Sequence, residues 1–112
     1  MKKTAGSVLS SPALYDGRLF IGSKDSYVYA FDVEDGNREW EYRTEGGIFS
    51  PVVVASNTIY VGSSDGNMYA LDTDKGKLRW KYKVNSKLYS AATISDGHVY
   101  FNSVDGSLFA LR

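Results

Sequence analysis

The chain has 112 residues, of which 43% are hydrophobic and 23% are charged, so it is expected to fold as one ordinary domain. Thirteen basic and thirteen acidic side chains cancel, which leaves no electrostatic footprint for nucleic acid or anionic lipid. The chain has no cysteine, which excludes disulfides, thiolate metal ligands and cysteine nucleophiles, and no stretch approaches the roughly twenty apolar residues of a membrane span.

A repeat of forty residues organises the sequence. Trp40 and Trp80 stand forty residues apart, and Asp25, Asp65 and Asp105 keep the same step. Self-similarity at a fixed period of this size is the signature of a repeat protein. We therefore expect the recurring apolar residues to serve packing, and we look for function where the copies differ.

The predicted elements divide the chain, a single segment over residues 1–112, into blades at about 8–43, 48–83 and, in part, 88–112. In the second copy, four short strands are predicted over 48–55, 58–63, 67–72 and 77–84. Asp65-Gly66 between apolar runs is a strong hairpin signal.

The apolar patterns of these strands differ. The second and third strands of a copy are nearly continuous apolar runs, which indicates burial on both faces. The fourth strand alternates apolar and charged residues, as an outer edge does. The predicted fold is therefore all-β, a β-propeller of four-stranded antiparallel meanders with about three blades in the chain.

The residues around each Trp resemble the tryptophan-docking motif of PQQ-like β-propellers, Ala-x-Asp-x-x-Thr-Gly-Lys-x-x-Trp. Asp35 and Lys75 replace the Thr of that motif. The resemblance covers essentially the whole chain and extends to the propellers of outer-membrane assembly factors and quinoproteins. A Trp is a large flat surface, and Ala and Gly allow a close approach, so the motif is expected to fasten neighbouring blades. The residues in this role are Ala30, Asp32, Gly36, Trp40, Ala70, Asp72, Gly76 and Trp80.

The third blade is predicted to lack its outer strand. Arg112 stands where Asp32 and Asp72 stand in the other copies. This leaves an open strand edge, and about three blades cannot close a ring when propellers typically have four to eight. The outer faces of the first and third blades are expected to expose apolar residues. We expect self-association, with a dimer of six blades favoured, or completion by the missing blades of a longer chain.

The candidate binding surface is the face where the Asp turns and the inter-blade links lie. Its residues are Lys24, Asp25, Glu45, Asp65, Lys87 and Asp105. For the acidic row of Asp25, Asp65 and Asp105, the functional interpretation is a cation site or a partner-binding patch. The favoured interpretation is turn chemistry, because Asp at the start of a β-turn binds its own backbone. The sole histidine, His98, aligns with Arg18 and Thr58 and is expected at the surface.

No catalytic, cofactor-binding or metal site is predicted. Quinoprotein dehydrogenases that resemble this repeat use an adjacent cysteine pair, calcium and a catalytic Asp, and this chain has no cysteine. The expected function is a non-catalytic scaffold for protein–protein interaction. The alternatives are a piece of a PQQ-dependent quinoprotein dehydrogenase and a designed or reconstructed propeller fragment without a natural ligand. The resemblance suggests a periplasmic or other extracytoplasmic location, although no apolar region of a signal peptide follows Met1-Lys2-Lys3.

Overall fold

The computed structural model describes residues 12–84, 88, 92–95, 97–102, 106 and 108–111. These residues form eleven β-strands in three sheets and no helix. The first sheet contains β1 (Ala13–Tyr15), β2 (Arg18–Gly22), β3 (Tyr27–Asp32) and β4 (Arg38–Arg43). The second contains β5 (Val53–Ala55), β6 (Thr58–Gly62), β7 (Asn67–Asp72) and β8 (Leu78–Lys83). The third contains β9 (Thr93–Ser95), β10 (His98–Asn102) and β11 (Leu108–Leu111).

Each sheet is an antiparallel meander in chain order, with β4 and β8 at the outer edges of the first two sheets. The third sheet has three described strands, with β11 at its edge. These sheets confirm the predicted all-β fold and its incomplete third blade. In the described part of the chain, no helix has the length and apolar character needed to cross a membrane.

The first strand of the second sheet is shorter than predicted. It begins at Val53 rather than at residue 48, and the first strands of the other two sheets begin at the aligned positions, Ala13 and Thr93. Ile48 instead forms one isolated bridge with Ser63, and the Ser50 hydroxyl accepts from the Gly62 amide at 2.8 Å.

The hydrophobic core lies between successive sheets. Phe20 and Val28 of the first sheet pack with Ile59 and Val61 of the second. A second cluster joins the other face of the second sheet to the third, and it contains Met68, Leu88, Ala92, Val99 and Phe101. Four consecutive residues of β3 and four of β7 are buried, as expected of strands covered on both faces.

The outward face of the first sheet is less exposed than predicted. Ile21, Tyr29 and Phe31 lie there and are only 7%, 2% and 0% exposed. The rings of Tyr29 and Phe31 stack on each other, and the Arg38 guanidinium lies 5.5 Å from the centre of the Tyr29 ring. The expectation of an open apolar face is therefore wrong for these three residues.

Two leucines remain exposed on the outward faces. Leu14 pairs with Leu19 on the first sheet and is 69% exposed. Leu108 pairs with Asn102 on the third sheet and is 68% exposed. Apolar residues thus face outward at both ends of the row of sheets.

Candidate blade-docking and loop-face sites

The register of the outer strands places both Trp residues in the same way. Trp40 pairs with Ala30, and Trp80 pairs with Ala70. An irregularity in the ladder follows each pair, so that Phe31 is opposite Arg38 and Glu39 is the extra residue. A bulge of this kind re-aims the side chains next to it. Ala30 and Ala70 are fully buried, which fits small residues beside a large indole.

Trp40 lies against the turn of the next sheet. Its Nε1 donates to the backbone carbonyl of Thr73 at 3.1 Å. A Cβ atom built on Gly76 would lie 2.3 Å from Cε3 of this indole, well inside any real carbon–carbon contact. Only glycine therefore allows the turn to approach the ring. On its own sheet, the indole lies 5.9 Å from the Phe20 ring.

The Asp of each motif holds its own turn, and the turn of Asp72 is the one that the Trp40 indole contacts. The Asp72 carboxylate accepts from the backbone amides of Lys75 at 2.7 Å and Gly76 at 3.2 Å. Burial acts to raise the pKa of Asp72, but these backbone donors and nearby Arg79 outweigh it and lower the pKa below its ordinary value. Asp32 accepts from the Glu34 amide at 2.8 Å in the same manner.

Trp80 has a different neighbourhood. Its ring lies 6.0 Å from Tyr60, which aligns with Phe20, and it packs against the cluster between the second and third sheets. The positions forty residues after Thr73 and Gly76 fall beyond Arg112. A cavity of about 240 Å³ borders this indole. We call it the Trp80 cleft, and its lining residues are Trp80, Lys81, Tyr82 and Leu111.

An ion pair between the first two sheets, Arg18 with Asp74, was not predicted from the sequence. Arg18 Nε donates to Glu39 on its own sheet at 2.7 Å, and its NH1 group donates to Asp74 on the next sheet at 2.9 Å. Hydrogen bonds to Asp74 and then to Glu39 raise the pKa of Arg18. Comparison of the three copies could have pointed to Arg18, because Thr58 and His98 stand at the aligned positions and the arginine is found in the first copy alone.

The loop-face aspartates use their carboxylates within their own turns. Asp25 Oδ1 accepts from the Tyr27 amide at 3.0 Å, and Asp65 Oδ1 accepts from the Asn67 amide at 2.9 Å. The second oxygen of each accepts from a tyrosine hydroxyl four residues on, at 2.6 Å for Asp25 and 2.5 Å for Asp65. Burial and the bond to Asp65 raise the pKa of Tyr69 well above its ordinary range. The bonds from the Tyr27 and Asn67 amides are the turn hydrogen bonds that the favoured interpretation requires.

The structure brings some of the predicted loop-face residues together. The Glu45 amide donates to Asp65 Oδ2 at 3.0 Å, which ties the link between the first two sheets to a turn of the second. A Cβ on Gly47 would lie 3.0 Å from the Lys24 carbonyl oxygen, so Lys24 adjoins the same link. Lys87 and Asp105 lie outside the described residues. Among the residues that are described, no three His, Cys, Asp or Glu side chains group as a metal site would require.

Comparison with known proteins agrees with this architecture. The family model described as outer membrane protein assembly factor BamB matches residues 1–50 and 43–112, which together span the chain. No curated protein sequence matches. The crystal structure of BamB from Moraxella catarrhalis has a TM-score of 0.87 at 18% identity, over 98% of this chain and 36% of that one.

Two further structures are similar. Quinohemoprotein alcohol dehydrogenase ADHIIG from Pseudomonas putida HK5 has a TM-score of 0.84 at 22% identity, over 96% of this chain and 19% of that one. The computationally designed Ika4 protein has a TM-score of 0.78 at 20% identity, over 88% of this chain and 62% of that one. The chain thus spans less than two thirds of each protein, and likeness at these identities shows the shared propeller fold alone.

Proposed function

Because the chain belongs to the family of the outer membrane protein assembly factor BamB, we propose that it is a non-catalytic propeller segment that serves as an assembly scaffold. Its sheets are completed into a ring by further blades. The observation that carries this proposal is the contact between Trp40 of the first sheet and Thr73 and Gly76 of the second. That contact joins blades by shape and by one hydrogen bond, and it can be repeated around a ring.

We propose that the further blades come from a second copy of the chain, which gives six blades with twofold symmetry, or from a longer polypeptide. The exposed Leu14 and Leu108 support the first route, since the third sheet of one copy would meet the first sheet of the other. Each such junction would cover both leucines. With both junctions formed, the ring has no open end.

The loop face is the proposed site for another protein. Lys24 and Glu45 are exposed there, and the carboxylates of Asp25 and Asp65 hold the turns that present them. The Lys87 and Asp105 positions are proposed to extend the same face by the forty-residue repeat. The family resemblance favours a periplasmic or other extracytoplasmic setting for this activity.

No structural observation specifically favours either of the two alternative functions, a part of a quinoprotein dehydrogenase or a designed propeller fragment. A role as part of a quinoprotein dehydrogenase rests on a likeness at 22% identity, which shows the fold alone. A designed fragment rests on a similar likeness to Ika4 at 20% identity. The scaffold proposal is preferred because the contact of Trp40 with Thr73 and Gly76 between the first two sheets supports it.

The test is the mass of the 112-residue chain in solution, by size-exclusion chromatography with light scattering at micromolar concentration. A dimer of twice the 12.4 kDa monomer is expected. Leu14→Lys and Leu108→Lys should each shift the mass towards the monomer. Leu78→Lys is the matched control, because Leu78 is 41% exposed but lies on the outer strand of the middle sheet. A well-folded monomer for the unaltered chain would overturn assembly by copies.

A further inference from the structure

The outer strands of the first two sheets occupy equivalent places in the repeat but differ in charge. Residues 35–43 carry three acidic and two basic side chains, whereas residues 75–83 carry five basic side chains and no acidic one. The charge is reversed at three aligned positions, which are Asp35, Glu39 and Glu41 in the first copy and Lys75, Arg79 and Lys81 in the second. None of these six residues is buried, so the core between the sheets does not set their charge.

The acidic side chains of the first outer strand are paired within the chain. Glu39 accepts from Arg18 at 2.7 Å, and Glu41 lies 3.1 Å from the guanidinium of Arg38. In the described part of the chain, no ion pair is formed by the lysines of the second outer strand and its turn, which are Lys75, Lys77, Lys81 and Lys83. The second sheet therefore presents positive charge that the chain itself does not compensate.

This charge lies along an open strand edge. β8 is the last strand of a complete four-stranded sheet, and it pairs with β7 on one side alone among the described strands. An edge of this kind presents backbone donors and acceptors to an extended segment. Lysines along an edge oppose pairing with basic or apolar strands, but they do not oppose an acidic strand. The edge of β8 is therefore selective in charge.

The spacing of two lysines fits a strand with acidic residues at alternate positions. Lys81 pairs with Tyr69 and Lys83 with Asn67, so both lysines lie on one face of the second sheet. Residues two apart in a strand are separated by about 6.5–7 Å. A strand with an acidic residue at every second position repeats that spacing, and directly opposite charges on neighbouring strands attract.

We propose that the outer edge of β8 binds an extended acidic segment of another protein, which adds a fifth strand to the second sheet. The inference deepens the proposed scaffold function by naming the chemistry of one partner. It uses neither the exposed Leu14 and Leu108 nor the loop-face residues. A separate protein fits better than the first sheet of a second copy, because Glu39 and Glu41 already have basic partners.

The experiment titrates labelled peptides with the 112-residue chain at low salt, followed by fluorescence anisotropy. The first peptide has six residues, as β8 has, and alternates glutamate with threonine. The second has the same composition with the glutamates contiguous. The third is the first with alternate backbone amides methylated, which removes the donors along one edge.

Two variants of the chain test the surface. The double variant Lys81→Glu, Lys83→Glu reverses the charge on one face of β8. Arg43→Glu is the matched control, because Arg43 is exposed, aligns with Lys83 and lies on the outer strand of the first sheet. Far-UV circular dichroism checks that both variants fold.

We expect the alternating peptide to bind the unaltered chain, and to bind more weakly at about 1 M salt. The contiguous and the methylated peptides should each bind about tenfold more weakly, since one loses the spacing and the other loses backbone bonds. The double variant should weaken binding of the alternating peptide at least about tenfold, because opposite charges on neighbouring strands become like charges. Arg43→Glu should leave it unchanged. If the double variant does not fold, the comparison of the three peptides still decides.

Equal binding of the alternating and contiguous peptides would show attraction by charge alone and would overturn strand addition, as would equal binding of the methylated peptide. Absence of binding to the unaltered chain would also overturn the inference. Self-association at low salt that the double variant abolishes would assign the edge to a second copy and remove the separate partner. The mass of the chain tests assembly into a ring independently, since a monomer that binds the alternating peptide would keep this inference and remove the ring.

Discussion

Substitution of Gly76 by alanine probes the contact between the first two sheets. Gly76 has φ +69°, and an added Cβ would lie 2.3, 2.5 and 2.8 Å from Cε3, Cδ2 and Cζ3 of Trp40. Carbon atoms normally meet at about 3.5–4.0 Å, so the indole would have to move by about 1 Å. Such a movement would also strain the bond from Trp40 Nε1 to Thr73.

Gly17 is the matched control. Its φ is +76°, nearly the same backbone conformation, but an added Cβ there meets no atom within 4 Å. Both alanines adopt left-handed backbone at a cost of about 1–2 kcal/mol, and both restrict the unfolded chain equally. Overpacking against the indole adds about 1–3 kcal/mol at Gly76 alone. We therefore expect Gly76→Ala to lower the free energy of unfolding by about 1–3 kcal/mol more than Gly17→Ala.

The assay is urea unfolding of the two variants and the unaltered chain, followed by circular dichroism and by tryptophan fluorescence. A difference of 1 kcal/mol corresponds to about 4 °C in Tm for a domain of this length, so thermal unfolding gives a second measurement. If Gly76→Ala is no more destabilising than Gly17→Ala, the indole does not press on this turn and the contact between sheets is misassigned.

Three further predictions use the same unfolding measurements. Trp40→Ala should cost about 3–5 kcal/mol and Trp80→Ala less, because the first indole is covered by a turn and the second borders a cavity; equal losses would contradict this. Ser26→Gly should stabilise by about 1 kcal/mol, since Ser26 has φ +81°, and an unchanged midpoint would count against it. Asp72→Asn should cost about 1 kcal/mol at pH 7. Because the pKa of Asp72 is lowered on folding, that loss should shrink as the pH falls through and below 3.8, and a pH-independent difference would refute the role of the charge.

The sequence predicted the strands well because each is a local pattern repeated at fixed spacing. The strand over 67–72 has the same bounds as β7, and the Asp-Gly turn before it makes the expected backbone bonds. Burial of the middle strands followed from their continuous apolar character. The limits of each blade as a unit stay a prediction, since the residues before position 12 lie outside the described part.

Contacts between the copies could not be predicted in the same way. Alignment of the copies compares positions forty residues apart, but Arg18 and Asp74 are separated by fifty-six residues in the chain. The stacking of Tyr29 on Phe31 depends on the exact placement of the two rings on the first sheet, and on the position of the Arg38 side chain over the Tyr29 ring. Such contacts require the placement of one sheet against another, which a repeat pattern does not give.

The differences between copies make the junctions between sheets chemically distinct. At the first junction, Arg18 binds Glu39 and Asp74 together, so one guanidinium holds an acidic residue from each sheet. At the second junction, Thr58 and Arg79 replace Arg18 and Glu39, so the same ion pairs cannot form. A different neighbouring sheet would remove the bond from Arg18 to Asp74 and leave the bond to Glu39 of its own sheet, a small change because Asp74 is largely exposed. At the first junction the packing of the indole is therefore supplemented by an ion pair that the aligned residues of the second junction cannot form.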